Sequence, residues 1–164
     1  MKTLFIVRHG KSSWDSEYVE DIDRPLIDRG VRDGYTMGKR LVERNLIPEW
    51  IYSSPANRAL HTAIIMARVM EIPEEKIVVK RGLYLAYQGD IKNILNITPK
   101  NISRLAIFGH NPSFTSLANR FLKEPLDNLP TSGVVVISFD TESWKDISPE
   151  NAISEYVDCP KKKW

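Results

Sequence analysis

Two arginines and two histidines stand out in three short segments: Arg8-His9-Gly10, Ser53-Ser54-Pro55-Ala56-Asn57-Arg58 and Gly109-His110-Asn111-Pro112. A histidine is a competent nucleophile toward phosphorus when one ring nitrogen is unprotonated, which requires the other N–H to be held by a carbonyl or carboxylate. Guanidinium groups match phosphoryl oxygens in bidentate geometry. If the three segments meet, His9 can attack a phosphoryl group while Arg8, Arg58 and His110 neutralise its charge with no metal or cofactor. His61, three residues beyond Arg58, is read as structural or exposed.

If the strands that precede these segments are parallel, all three gather at one edge of the sheet. Thr3-Leu4-Phe5-Ile6-Val7 is the apolar, partly β-branched run of a parallel strand covered on both faces, and open parallel sheets bind ligands beyond the carboxyl ends of their strands. Further strands are predicted at Trp50–Ser53, Lys76–Val79, Arg104–Phe108 and Gly133–Phe139, with a possible edge strand at Ile153–Val157. Helical spacing of Val31, Tyr35, Gly38, Leu41 and Val42 predicts a helix over Arg29–Arg44, ended by Asn45 and Pro48. A second helix is predicted over Pro55–Met70, with Ser54 as N-cap and Pro55 in the first position. Asp90 is expected to cap a short helix to Asn96, and Asn111 one that Pro112 opens and that runs to Phe121. The alternation implies an α/β fold. Two of the helix N-termini then aim free N–H groups at the rim that holds Arg8 and His9. Arg58 sits in a first turn, where the helix dipole disfavours a cation, so an anion is its expected partner.

The 164 residues fit a single domain, 1–164, with 42% hydrophobic and 27% charged residues. A formal charge of +2 is too balanced to announce a nucleic-acid or membrane partner, so any anion preference must be local. The run Lys161-Lys162-Lys163 is read as a solvated tail. One cysteine, Cys159, excludes an intramolecular disulfide, and the charges in MKTLFIVRHG come too early for a signal peptide, so a cytoplasmic location is expected. The HExxH, paired CxxC, GxxxxGK[ST], GxGxxG and GxSxG patterns are all absent, as is an arginine downstream of Cys159.

The combination of Arg8-His9-Gly10 after a first strand, Ser53 to Ala59 with Thr62-Ala63, and Gly109-His110-Asn111-Pro112 resembles the histidine phosphatase superfamily. Arg8 to Trp14, Asp23-Arg24-Pro25-Leu26, Arg29-Gly30, Leu83 to Ala86 and Leu129-Pro130-Thr131 are most similar to the SixA-type phosphohistidine phosphatases. The resemblance implies a three-layer α/β sandwich, a mostly parallel central sheet flanked by helices in the phosphoglycerate mutase-like arrangement, and a phosphohistidine intermediate on His9. It also implies a phosphate pocket of Arg8, Arg58 and His110, with Ser12 and Asn111 as further phosphate or rim contacts, and a phosphorylated protein as partner. Esterases and mutases of the superfamily usually carry a glutamate acid after the third strand, but Lys80–Gly89 reads KRGLYLAYQG. An alcohol leaving group needs that proton, whereas a protonated phosphohistidine expels neutral imidazole, whose conjugate acid has a pKa of about 6.5. Asp21 or Asp23 remains a candidate donor, although Asp23 with Arg24 also reads as a structural turn. The alternatives are a small-molecule phosphomonoesterase and a non-catalytic phosphoprotein-binding module.

Overall fold

In the computed structural model, residues 1–14 and 18–162 are described. Six strands form one sheet: β1 (Lys2–Arg8), β2 (Trp50–Ser53), β3 (Ile77–Val79), β4 (Arg104–Gly109), β5 (Val134–Phe139) and β6 (Ala152–Asp158), in the order β3-β2-β4-β1-β5-β6. The pairs β3/β2, β2/β4 and β4/β1 are parallel, and β5 runs antiparallel to both β1 and β6. The mostly parallel sheet is flanked by α1 (Asp28–Glu43) and α2 (Asn57–Val69) on one face and by α3 (Gln88–Asn96) and α4 (Ser113–Phe121) on the other.

β1 shows why no polar residue interrupts Leu4 to Val7. Phe5 and Val7 point into the layer with Met37, Leu41, Ala63 and Met66 of α1 and α2. Leu4 and Ile6 point the opposite way, toward Ile91, Phe114 and Leu117 of α3 and α4. All four side chains are essentially inaccessible to water, and burying each aliphatic or aromatic side chain contributes about 1.5–3 kcal/mol.

The buried stripe of α1 contains Gly38 and Leu41 of the expected set and differs from it elsewhere. Gly30, Gly34, Met37, Gly38 and Leu41 face inward, while Tyr35 and Val42 are exposed. The glycines are there for close packing: a Cβ on Gly34 would stand 3.0 Å from Ile65, and one on Gly38 3.0 Å from Val69. A hydrophobicity pattern undervalues such positions because glycine contributes no apolar side chain. The helix stops at Asn45, whose left-handed φ of 55° lets the Leu46 N–H return to the Leu41 carbonyl.

Two predicted caps are corrected. Helix α2 begins at Asn57 after Ala56 rather than at Pro55, because the Ser54 hydroxyl receives the Ala56 N–H and contacts His110 instead. Asp90 lies inside the first turn of α3, where its carboxylate accepts the Tyr87 N–H. Asn111 does serve α4, accepting the Thr115 N–H from one residue outside the assigned cap. The expected edge strand is β6, anchored through buried Asp158, whose carboxylate accepts from Arg40 of α1. Lys161 and Lys162 are exposed, and Lys163 lies outside the described residues.

The connection after β1 leads through α1 to β2, and the connection after β4 leads through α4 to the opposite side of the sheet. The strand order therefore reverses between β1 and β4, the place where open sheets form a crevice. The register pairs Arg8 with Gly109, so the next residues, His9 and His110, leave the sheet side by side. Gly109 is squeezed there: a Cβ would come within 2.5 Å of the Phe114 ring, itself fully buried. Gly109→Ala is expected to destabilise the fold by about 1–3 kcal/mol, and an unchanged melting temperature would show that the ring has room to move.

Candidate active site

Beyond the carboxyl ends of β1, β2 and β4 lies a cleft of about 720 Å³. Arg8, His9, Arg58 and His110 line it together, so the parallel strands bring the four residues to the single rim expected of them. Ser12, Asp21, Arg24, Tyr84, Asn111 and Thr131 also line it.

His9 is the most constrained. Its backbone N–H donates to the Gly109 carbonyl and its carbonyl accepts the Ser132 N–H, so the end of β4 and the turn that leads into β5 fix it. Its Nδ1 lies 2.7 Å from the Gly10 carbonyl oxygen. A carbonyl only accepts, so Nδ1 carries the proton and Nε2 is the free, unprotonated nitrogen. Gly10 must be small for this loop to close, since a Cβ would sit 3.0 Å from the Gly30 carbonyl and 3.1 Å from Leu26. Thr62 of α2 ties the loop down: its hydroxyl accepts the Gly10 N–H and donates to the Arg58 carbonyl. Burial, together with the charges of Arg58, Arg8 and Arg24, lowers the His9 pKa to about 4 against the raising effect of the Gly10 bond.

His110 stacks at a tilt against His9, with ring centroids 5.2 Å apart. Its Nε2 is 2.8 Å from the Ser54 hydroxyl, which also receives the Ala56 N–H. Ser54 is fully buried, and its own hydroxyl proton finds its acceptor at His110 Nε2. That assignment puts the His110 proton on Nδ1, which has no partner among the described residues. Burial, then the proximity of His9 and Arg58, lowers the His110 pKa to about 3.

The guanidinium groups are partly engaged. Arg8 donates from Nη1 to the Leu129 carbonyl, and Arg58 donates from Nη1 to the Asp21 carbonyl and from Nη2 to its carboxylate. The Nε atoms of both arginines are buried and lack partners among the described residues. Together with His110 Nδ1, the cleft walls thus contain three orphaned donors.

Asp21, Arg24 and Tyr84 form a second tier. The Asp21 carboxylate accepts from Arg24 Nε at 3.0 Å, Arg58 Nη2 at 3.1 Å and the Tyr84 hydroxyl at 2.6 Å. Burial alone would raise its pKa, but these hydrogen bonds and the Arg58 charge prevail and hold it down to about 2. Asp21 is therefore ionised at neutral pH and has no proton to give. Burial and the Asp21 contact raise the Tyr84 pKa, so its hydroxyl stays protonated. Arg24 stacks on Trp14 with its Cζ 3.5 Å from the ring centroid. Asp23 is exposed and does not line the cleft; its carbonyl accepts from the Asn57 side chain.

The two lesser candidates have prior commitments. Ser12 accepts from Arg24 Nη1, so it positions that guanidinium. Asn111 spends its amide on Asn128, Leu129 and Thr115 and shapes the rim instead of reaching inward. His61 is exposed on α2 beside Pro25 and Leu26, away from the cleft. Sequence reading had no role for Tyr84, Ser54 or Arg24 in this cleft. The signals for Tyr84 were its place in the segment where an acid was sought and in the Leu83 to Ala86 stretch that carries the resemblance.

Residues 4–83 match the model of the histidine phosphatase superfamily, branch 1. This chain belongs to the histidine phosphatase superfamily. A 2,3-bisphosphoglycerate-dependent phosphoglycerate mutase from Rhodococcus opacus is 38% identical over 65 residues, which span 38% of this chain and 26% of the mutase. Similarity to that superfamily member thus covers about a quarter of its length. Among solved structures, one assigned to SixA phosphohistidine phosphatases from Nakamurella multipartita superposes with a TM-score of 0.81 at 21% identity, covering 98% of this chain and 97% of the other. The protein histidine phosphatase SixA complexed with tungstate gives a TM-score of 0.79 at 20% identity, covering 96% and 97%. These superpositions establish that the superfamily fold is shared along nearly the whole chain.

Because both cleft histidines titrate below the ordinary value of 6.5, the unfolded chain binds more protons than the folded one between about pH 4 and 6.5. Stability then rises with pH across that window, and falls on acidification, by on the order of 1 kcal/mol per pH unit. A His9→Gln/His110→Gln double variant is expected to show a flatter melting-temperature profile from about pH 7 to 4.5. Parallel profiles for wild type and variant would contradict the buried, neutral assignment.

Proposed function

We propose that this protein is a metal-independent phosphatase that removes phosphate from phosphohistidine on a protein. The observation that carries the reading is the pairing of an unprotonated His9 Nε2 with three orphaned cleft donors, Arg8 Nε, Arg58 Nε and His110 Nδ1. A phosphoryl group offers acceptors to all three while presenting phosphorus to the nucleophile. The SixA structure complexed with tungstate supports the same reading, since tungstate is a tetrahedral oxyanion like phosphate.

In the first step His9 Nε2 attacks phosphorus, a new N–P bond forms, and the substrate N–P bond breaks with its electron pair returning to the substrate ring. Charge spread over the equatorial oxygens is met by fixed donors that need not reorganise. In the second step water attacks the phosphorylated His9, releases inorganic phosphate and restores the free imidazole, whose Nδ1–H stays on Gly10. A proton from the water passes to phosphate or solvent.

The choice of leaving group rests on which protons the cleft contains. His9 and His110 are neutral, Asp21 is ionised and Tyr84 is a weak acid. None of these four groups is tuned near neutrality as an acid for an alkoxide. Cleavage of a P–N bond with a protonated ring needs no such acid. A binding module would have little use for an imidazole held in the nucleophilic tautomer, which favours an enzyme.

The test compares a phosphohistidine-bearing carrier protein with an alkyl phosphate at neutral pH in the presence of a chelator. Wild type is expected to dephosphorylate the former selectively, His9→Ala to lose turnover, and Arg58→Ala to lose on the order of 10³-fold. Alkyl ester cleavage at a comparable rate would instead favour a phosphomonoesterase, and failure to trap phosphate on His9 would favour the binding module.

A further inference from the structure

The mechanism above leaves Asp21 unused, although its carboxylate stands in the cleft wall on charged and hydrogen-bonding partners from three separate segments. Three bonds occupy part of its capacity of about four lone-pair sites. Its side chain remains 45% exposed, whereas His9, His110 and Arg58 are each at most 9% exposed. The nucleophile thus lies at the floor and this carboxylate nearer the mouth. In an in-line displacement the leaving group departs opposite the nucleophile, which is toward the mouth.

Resting on the phosphohistidine reading, we propose that Asp21 is a specificity-determining residue: it accepts the N–H of the substrate ring nitrogen that carries no phosphorus and so keeps the departing imidazole protonated. The bond from phosphorus then breaks toward a ring that leaves as neutral imidazole. Without that proton the same cleavage would expel an imidazolate, a far stronger base and a poor leaving group. An opposite charge within about 4–6 Å favours the protonated ring by roughly one to three pKa units.

The charge balance around Asp21 permits this role. Arg24 on its own segment, Arg58 from α2 and Tyr84 from the segment after β3 hold the carboxylate directly, while His9, His110 and Arg8 face it from the strand ends. The two arginines that touch the Asp21 carboxylate also donate elsewhere: Arg24 to Ser12 and Ser13, and Arg58 to the backbone carbonyl of Asp21 itself. When a phosphoryl dianion enters, it draws on the same cations, which leaves the carboxylate less neutralised and a better acceptor for a ring N–H. Aspartate in this position therefore complements a substrate that is anionic at phosphorus and cationic at the leaving group.

Asp21→Asn keeps the size of the side chain and an oxygen for Tyr84 but removes the charge, and Asp21→Glu keeps the charge. The full-length protein would be assayed across pH on a phosphohistidine peptide and on p-nitrophenyl phosphate, whose leaving group needs no proton. For the peptide, Asp21→Asn is expected to lose about tenfold or more in kcat/KM near pH 8 and less near pH 6, with its alkaline limb moved down by about one unit. The ratio of peptide to aryl phosphate activity should fall with it, and Asp21→Glu should restore the alkaline limb. A loss that is equal on both substrates and independent of pH, or an alkaline limb that coincides with wild type, would overturn the proposal. The underlying reading fails separately, and before any variant is compared, if the wild type cleaves esters and leaves the phosphohistidine peptide intact.

Discussion

An imidazole buried among guanidinium groups gives up its proton, because burial strips the cation of water and every neighbouring positive charge repels it. His9 is in that situation at the floor of the cleft, beside Arg8 and Arg58. In the proposed reaction the same cations that would stabilise a transferring phosphoryl group therefore also keep the attacking imidazole unprotonated. Neutrality alone would leave two tautomers in competition. The Gly10 carbonyl decides between them, and it is available only because the backbone after β1 turns tightly enough for a histidine to bond its own neighbour. That turn depends in turn on Thr62, on the close approach of Gly30 and Leu26, and on β1 being held between β4 and β5.

A cluster of cations in a cleft also needs a counter-charge while no substrate is bound. Asp21 supplies it from a short turn that packs against the start of α2, and it is shared by Arg24, Arg58 and Tyr84. This arrangement holds Arg58 through its two terminal nitrogens and leaves its Nε without a partner among the described residues. It also explains how a carboxylate sits near the reacting centre without being an acid. The hydrogen bonds that make it a good counter-ion are the ones that keep it ionised.

The parts of this molecule legible from sequence are those where local pattern and tertiary role coincide. The continuous apolar run of β1 announces burial on both faces, and the polar residues that end β1, β2 and β4 mark the rim once the strands are taken as parallel. Helix α1 is legible together with Gly38 and Leu41 of its buried stripe, but Gly34 is not, since it packs against Ile65 without contributing hydrophobicity. Ser54 looked like a cap because serine before proline usually is one; its hydroxyl is spent on His110, 56 residues away in sequence. Asp21 was visible as a carboxylate near the first motif, but its partners at Arg58 and Tyr84 come from other segments, 37 and 63 residues on. Its protonation state is set by that tertiary contact, and no spacing rule reports it.

The intermediate and the substrate of the proposed reaction are chemically alike, each a phosphorus on one nitrogen of an imidazole whose other nitrogen keeps a proton. Transfer between two such rings needs no proton at the transition state, provided that both N–H groups are held. Gly10 holds that of His9 through a neutral dipole in a buried site, where a full charge would stabilise imidazolium and blunt the nucleophile. Asp21 meets the other ring nearer the solvent, where a full charge suits a group that must remain protonated until it leaves. The difference between a carbonyl on one side and a carboxylate on the other matches the different demands on the two rings. An ester substrate offers the cleft only one imidazole, and the carboxylate at the mouth then faces an oxygen that needs a proton Asp21 does not have.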